Sequence, residues 1–189
     1  MNLSYVIEFH TDWHCGSGLA AGADVDTLVV RDKDNLPFVP GKTIKGLLKE
    51  AMVDIYDCEK NNDFEKAFGV YVDSDTLTSN MQRGAMYFTN AELAIDEQLA
   101  ICSNNLQQYL YRDIAHTAIE NGIAVEHSLR KLEVVLPCKL QGQILNVPDD
   151  MVDRMGKAMN YIKRLGLNRN RGLGRCTLNI TKIEKGSKL

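Results

Sequence analysis

The sequence contains no apolar run of roughly 18 residues, the length a membrane-spanning helix needs. Its opening stretch, Met1 to His10, has neither a basic leading region nor a long apolar core, so neither a membrane span nor a signal peptide is expected. Five cysteines, at positions 15, 58, 102, 138 and 176, are odd in number and never spaced C-x-x-C. That scatter argues against a zinc ribbon and for reduced thiols, and with them a cytoplasmic location. Internal repeats, low-complexity tracts and long linkers are also absent, which leaves one domain over residues 1–189. Gly41-Lys42-Thr43 resembles the end of a nucleotide-binding P-loop, but position 36, where that motif needs glycine, is Leu36. Gly16-Ser-Gly-Leu-Ala-Ala21 has the letters of a dinucleotide fingerprint without the surrounding βαβ unit. His10, His14 and Cys15 find no second ligand pair at a familiar spacing, so a structural or partner-contact role is expected of them.

What is present is a division of charge. Residues 154–189 carry ten Lys/Arg against Glu184 alone, a net +9, whereas residues 1–153 carry twelve bases against twenty-four acids, a net −12. A basic end on an acidic body is the footprint of a protein with an anionic partner, nucleic acid above all. The centre of that basic segment is Leu165-Gly-Leu-Asn-Arg-Asn-Arg-Gly-Leu-Gly-Arg-Cys176. Gly166, Gly172 and Gly174 let the backbone approach a partner closely, and Arg164, Arg169, Arg171 and Arg175 surround it with donors suited to phosphate oxygens. An ordinary solvated basic turn is the alternative.

The spacing of apolar residues sets the element order. Residues 3–10 read as a strand, residues 41–56 as a helix with Ile44, Leu47, Leu48, Ala51, Met52 and Ile55 on one face, and residues 83–93 as a second strand. Residues 57–82 read as polar connection, and the segment 96–130 opens with a short helix and contains a hairpin from Thr117 to Leu129, with Asn121-Gly122 as its turn. Lys131 to Leu145 is expected as a third strand, bulged near Pro137; a helix follows from Pro148 to about Leu165, and a final strand covers Arg175 to Glu184. The order β-α-β-β-α-β predicts an α+β, ferredoxin-like fold with insertions after strand one and between strands two and three. Lys42, Thr43 and Lys45, beside the unsatisfied first-turn N–H groups of the first helix, form a second candidate phosphate site.

Asp24 and Asp26, at alternate positions of Gly22-Ala-Asp-Val-Asp-Thr27, would place both carboxylates on one side of an extended backbone. One or two carboxylates with substrate phosphates are how Mg²⁺ is commonly held. On spacing alone the pair is equally two solvated loop acids.

Several stretches, in order, carry a resemblance: His14-Cys-Gly-Ser-Gly18, Gly22 to Asp32, Leu36-Pro-Phe-Val-Pro-Gly-Lys-Thr-Ile-Lys-Gly46, Phe68-Gly69, Arg83-Gly-Ala-Met-Tyr-Phe88, Ser128 to Val135, and Arg171-Gly-Leu-Gly-Arg175. Together they resemble the RAMP (repeat-associated mysterious protein) superfamily of CRISPR systems, most of all the repeated backbone subunit of type III (Csm/Cmr) effector complexes. The resemblance implies a modified RNA-recognition-motif fold that self-associates along a guide RNA beside other effector subunits. A thumb-like insertion around residues 94–130 would push between bases. The resemblance also implies divalent-metal-dependent cleavage of complementary target RNA, with the catalytic aspartate of the loop after strand one falling on Asp26 and Asp24 second. Asp26 would act as base or position Mg²⁺. Lys42, Thr43, Lys45, Arg130, Arg169, Arg171, Gly172, Gly174 and Arg175 would hold the guide.

Departures from the family leave two alternatives. The chain is compact, and Cys58 alone cannot make the zinc site of some relatives. His10 or His14 would instead serve a metal-independent enzyme that processes guide RNA. A non-catalytic RNA-binding scaffold would leave Asp26 a simple loop acid. Tyr87 and Phe88 are aromatics on strand two, but no RNP signature surrounds them, which weighs against base stacking on a plain sheet face.

Overall fold

The computed structural model describes residues 1–20, 25–57, 62–69 and 83–185. In chain order the elements are β1 (Asn2–Phe9), α1 (Gly41–Tyr56), α2 (Asn62–Phe68), β2 (Tyr87–Phe88), α3 (Ile95–Ser103), β3 (Tyr111–His116), β4 (Ile119–Glu120), β5 (Ile123–Ala124), β6 (Arg130–Val135), β7 (Lys139–Leu145), α4 (Val152–Tyr161) and β8 (Cys176–Glu184). The protein is a mixed α/β structure with antiparallel sheets.

Alternation dictates the main sheet. Leu3, Tyr5, Ile7 and Phe9 of β1 and Leu140 and Ile144 of β7 are buried, while the residues between them face outward. Fully burying each such aliphatic side chain contributes roughly 1.5–3 kcal/mol. Strand order is β2-β7-β1-β8. The inner face is covered by α1 and α4, which pack on each other. Ile44, Leu48, Ala51 and Met52 of α1 and Met155, Ala158 and Met159 of α4 are buried at helical spacing. Gly41 opens α1 because a side chain there would overlap the Phe88 carbonyl, and its N–H donates to Asn90 Oδ1 at 3.0 Å.

Four expectations need correction. The stretch Lys131–Leu145 is two strands that belong to different ladders: β6 pairs with β3, and β7 pairs with β1 and β2. The chain turns between them at Leu136–Cys138, and Pro137, which has no N–H for a ladder, sits at the break. Strand two contracts to Tyr87–Phe88, because Ala91 leaves the sheet edge to pair with Val39. The second helix ends at Tyr161, and an antiparallel bridge between Arg164 and Arg175 then closes the glycine-rich loop. The region read as polar connection also holds a short helix, α2, whose Phe64 and Phe68 reach the core.

Between β3 and β6 the chain forms a long hairpin. Its outer turn is the one Asn121-Gly122 dictates, with φ of 50° and 81°, a type I′ pair joining β4 to β5. A side-chain clasp closes the hairpin below that turn: Thr117 Oγ1 and Ser128 Oγ lie 2.6 Å apart, and the Ala118 N–H donates to Ser128 Oγ at 3.1 Å.

Candidate nucleic-acid interface

The root of the hairpin is built on two buried carboxylates. Glu133 interrupts the apolar run of β6, only 7% exposed; Oε2 accepts the Val29 N–H at 3.0 Å, and Oε1 pairs with Arg31. Arg31 also lies over the Tyr111 ring, 3.8 Å from its centroid, and burial pushes the Tyr111 phenol well above its ordinary value. Asp12, 8% exposed, accepts from Arg112 on β3. These pairs tie the segments after β1 to the hairpin. Sequence reading missed all four residues, although a lone acid in Leu132-Glu133-Val134-Val135 was a visible signal that a paired buried charge would be needed.

Asp26 sits at the outer end of this root, where the β3–β6 ladder meets the clasp. Its N–H donates to the Lys131 carbonyl at 3.0 Å, its Oδ2 accepts the Lys131 N–H at 2.8 Å, and its Oδ1 lies 3.5 Å from Arg130 Nη1. A parallel bridge from Thr27 to Leu132 extends the contact. The carboxylate remains open to solvent, its side chain 43% exposed. Asp24, Gly22 and Cys58 lie outside the described residues.

Across β3 from this point stands the glycine-rich loop. Arg130 is opposite His116 in the ladder. A groove of about 260 Å³, lined by Ile114, His116, Asn168, Arg171 and Leu173, separates the hairpin from the loop. Thus Asp26, Arg130 and Arg171 gather around one end of the hairpin. Two of the three glycines serve a different purpose from the one expected of them. A side chain at Gly166 would overlap the His14 carbonyl, and one at Gly174 would overlap the Leu165 carbonyl, with φ of 96° and 67°. Their close partner is therefore the protein's own backbone. Gly172, with φ of 95°, meets nothing and remains open. Arg171 and Arg175 are exposed and have no carboxylate partner among the described residues, whereas Arg169 lies 4.0 Å from Glu50.

Residues 12–16 link these parts. The Leu167 N–H donates to the His14 carbonyl at 2.9 Å on one side, and on the other the Cys15 thiol hydrogen-bonds Thr43 at the start of α1, within reach of the Lys42 charge. Burial still dominates at Cys15 and raises its thiol above the ordinary value. Lys42 is exposed and Lys45 half-buried, so α1 adds cations beside the loop. His14 itself is 1% exposed and its Nδ1 sits 2.6 Å from the Glu133 carbonyl, so it belongs to the framework. His10 is exposed, with Nε2 3.3 Å from Thr177 Oγ1.

Beyond the clasp the hairpin exposes Ile119 (71%) and Ile123 (73%), with Val125 partly exposed, beside Glu120, Glu126 and His127. Among the described residues no three His, Cys, Asp or Glu side chains gather as a metal site. Asp26 fits a divalent cation as a single carboxylate anchor that phosphate oxygens would complete, in competition with Arg130. No described helix is long and apolar enough to cross a membrane.

A four-stranded antiparallel sheet backed by two helices, with a long hairpin and a basic loop beside it, defines an α+β protein whose exposed chemistry suits a polyanion. The chain belongs to the RAMP superfamily, whose family profile matches residues 6–177. Among solved structures it resembles a chain of the Type III-B Cmr-beta complex bound to cognate target RNA, with 11% identity, a TM-score of 0.70, and 95% of this chain and 97% of that one covered. It likewise resembles a chain of the apo Type III-B Cmr-beta complex, with 13% identity, a TM-score of 0.68, and 96% and 98% covered. No curated protein sequence matches it.

Proposed function

We propose that this protein is a subunit of a type III CRISPR effector complex, of the repeated backbone kind. It binds guide RNA beside other copies of itself and other subunits, and cleaves the complementary target RNA with a divalent metal, Mg²⁺. Family membership and the likeness to Cmr-beta chains support the class of complex. The order β2-β7-β1-β8 with α1 and α4 on one face supports a ferredoxin-like core, with the stretch 94–130 as its thumb. The observation that carries the catalytic part is the fixing of Asp26 to the Lys131 backbone, beside Arg130, at the root of an apolar-tipped hairpin. A strand threaded between bases by Ile119 and Ile123 would pass its phosphates near that carboxylate. Asp26 would then orient a ribose 2′-OH or hold Mg²⁺, while Arg130 and Arg171 offset phosphate charge. Lys42, Thr43, Lys45, Arg169, Gly172 and Arg175 are proposed for the guide side, whereas Gly174, buried against the Leu165 carbonyl, only shapes the loop.

One observation favours a second reading, a non-catalytic scaffold: both Asp26 oxygens already have protein partners, as a purely structural acid would. A guide-processing enzyme would have to work through the exposed His10 alone, since His14 is enclosed. The test is cleavage of target RNA by the reconstituted guide complex, wild type against Asp26→Ala, in Mg²⁺ or EDTA. Regularly spaced cuts in the wild type should fall by a factor of about 10² or more in the variant, the scale of losing a general base, and vanish in EDTA. Intact RNA in every lane, with binding preserved, would establish the scaffold instead.

A further inference from the structure

The edge of the main sheet has a hole in it. Glu92 and Gln141 exchange backbone bonds at 2.9 and 2.7 Å, and the Thr89 N–H donates to the Gln143 carbonyl at 3.0 Å. Between these two points the edge chain leaves β7. Ala91 exchanges both of its bonds with Val39, and Asn90 Oδ1 accepts from Gly41. The residue of β7 facing the gap is Gly142, which has no side chain to fill it. The result is a cavity of about 290 Å³, close to the lower limit of roughly 300 Å³ for small-molecule sites.

Tyr5 lines this cavity from within the core. Its side chain is fully buried, and its hydroxyl has no hydrogen-bond partner among the described residues. A Cβ on Gly142 would stand 2.5 Å from that hydroxyl, so the glycine is what leaves room for it beside the gap. A buried polar atom without a partner costs about 1–3 kcal/mol, which a ligand bonded to it would recover. Burial also holds the phenol protonated far into alkaline solution, so it is available as a donor.

The remaining lining defines the ligand. Glu92 is its carboxylate, Gln141, Gln143 and Asn90 supply carboxamides, and among the described residues no Lys, Arg or His contributes. Such a set repels phosphate and suits a neutral group carrying adjacent N–H donors and ring or carbonyl acceptors. We propose that this cavity takes the hydrogen-bonding edge of a single unstacked nucleobase, with Glu92 accepting from a base N–H and Tyr5 donating to the neighbouring acceptor. The proposal rests on the reading of the protein as RNA-binding. It places a base contact on the sheet edge, away from the phosphate contacts at the hairpin root.

The test is to titrate the isotope-labelled full chain with cytidine, adenosine and ribose 5-phosphate, and to follow the amide signals of Tyr5, Asn90 and Gly142. Both nucleosides should shift these signals saturably and ribose 5-phosphate should not. Tyr5→Phe and Glu92→Gln should each weaken nucleoside binding about tenfold, the loss of one hydrogen bond, with the melting temperature not lowered. Equal shifts with ribose 5-phosphate, or unchanged nucleoside binding in both variants, would overturn the proposal. A Tyr5→Phe protein that melts higher and binds as before would show the hydroxyl to be a packing defect. Because the nucleosides carry no phosphate and need no guide, failure here leaves the cleavage comparison of wild type and Asp26→Ala untouched.

Discussion

The two ends of the long hairpin obey opposite rules. At the root, Glu133 and Asp12 are charged and almost fully buried, and each is held by an arginine from a different segment. At the tip, Ile119 and Ile123 are apolar and almost fully exposed. A buried charge is tolerated only where partners surround it, so the root must keep one arrangement. An exposed apolar pair does nothing for folding and gains free energy only when something covers it. The root is therefore about position and the tip about contact.

The largest effect expected is at the root. Glu133→Ala would leave Arg31 unpaired and the Val29 N–H without its acceptor; since Arg31 is partly exposed, the cost should be about 3 kcal/mol, at the lower end of broken buried pairs. Urea denaturation measures it, and a loss under about 0.5 kcal/mol, the surface-substitution range, would erase the contrast between the two ends. Next comes pH. Burial pushes the Cys138 thiol, next to the root, up to about 11 and Cys176 up to about 12, from a usual 9.0. Folded-state values above the unfolded ones mean that the folded chain binds more protons over this interval. Stability should then be full below pH 9.0 and fall as pH rises toward 11 and 12. Thermal melts from pH 8 upward would check this, and a flat profile would contradict it. The smallest effect on stability belongs to the tip: Ile119→Ser with Ile123→Ser should stay within about 0.5 kcal/mol. The same variant should weaken binding of the guide complex to target RNA, and an unstable variant would mean that the tip packs like the root.

How far this was legible in the sequence follows the same division. The type I′ turn at Asn121-Gly122 was readable because it depends on two adjacent residues. The face of α1 was readable because it depends on one period. Splitting Lys131–Leu145 into β6 and β7 was not, because alternation continues across Pro137 and says nothing about which partner each half chooses. The glycines at 166 and 174 advertised a close approach without naming the approaching group, which proved to be the backbone at His14 and Leu165. Asp26 was singled out by spacing and then by resemblance, and Glu133 was passed over, since burial of a charge is decided by segments far apart in the chain.

The clasp between Thr117 and Ser128 marks where these two regimes meet. Among the described residues, everything outside it is joined to the rest of the fold by the strands β3 and β6, and its ladder closes on itself. That segment is in effect a cassette. Its length and composition can drift, or be exchanged by an engineer, without renegotiating the core, while the register that holds Asp26 against Lys131 stays where it is.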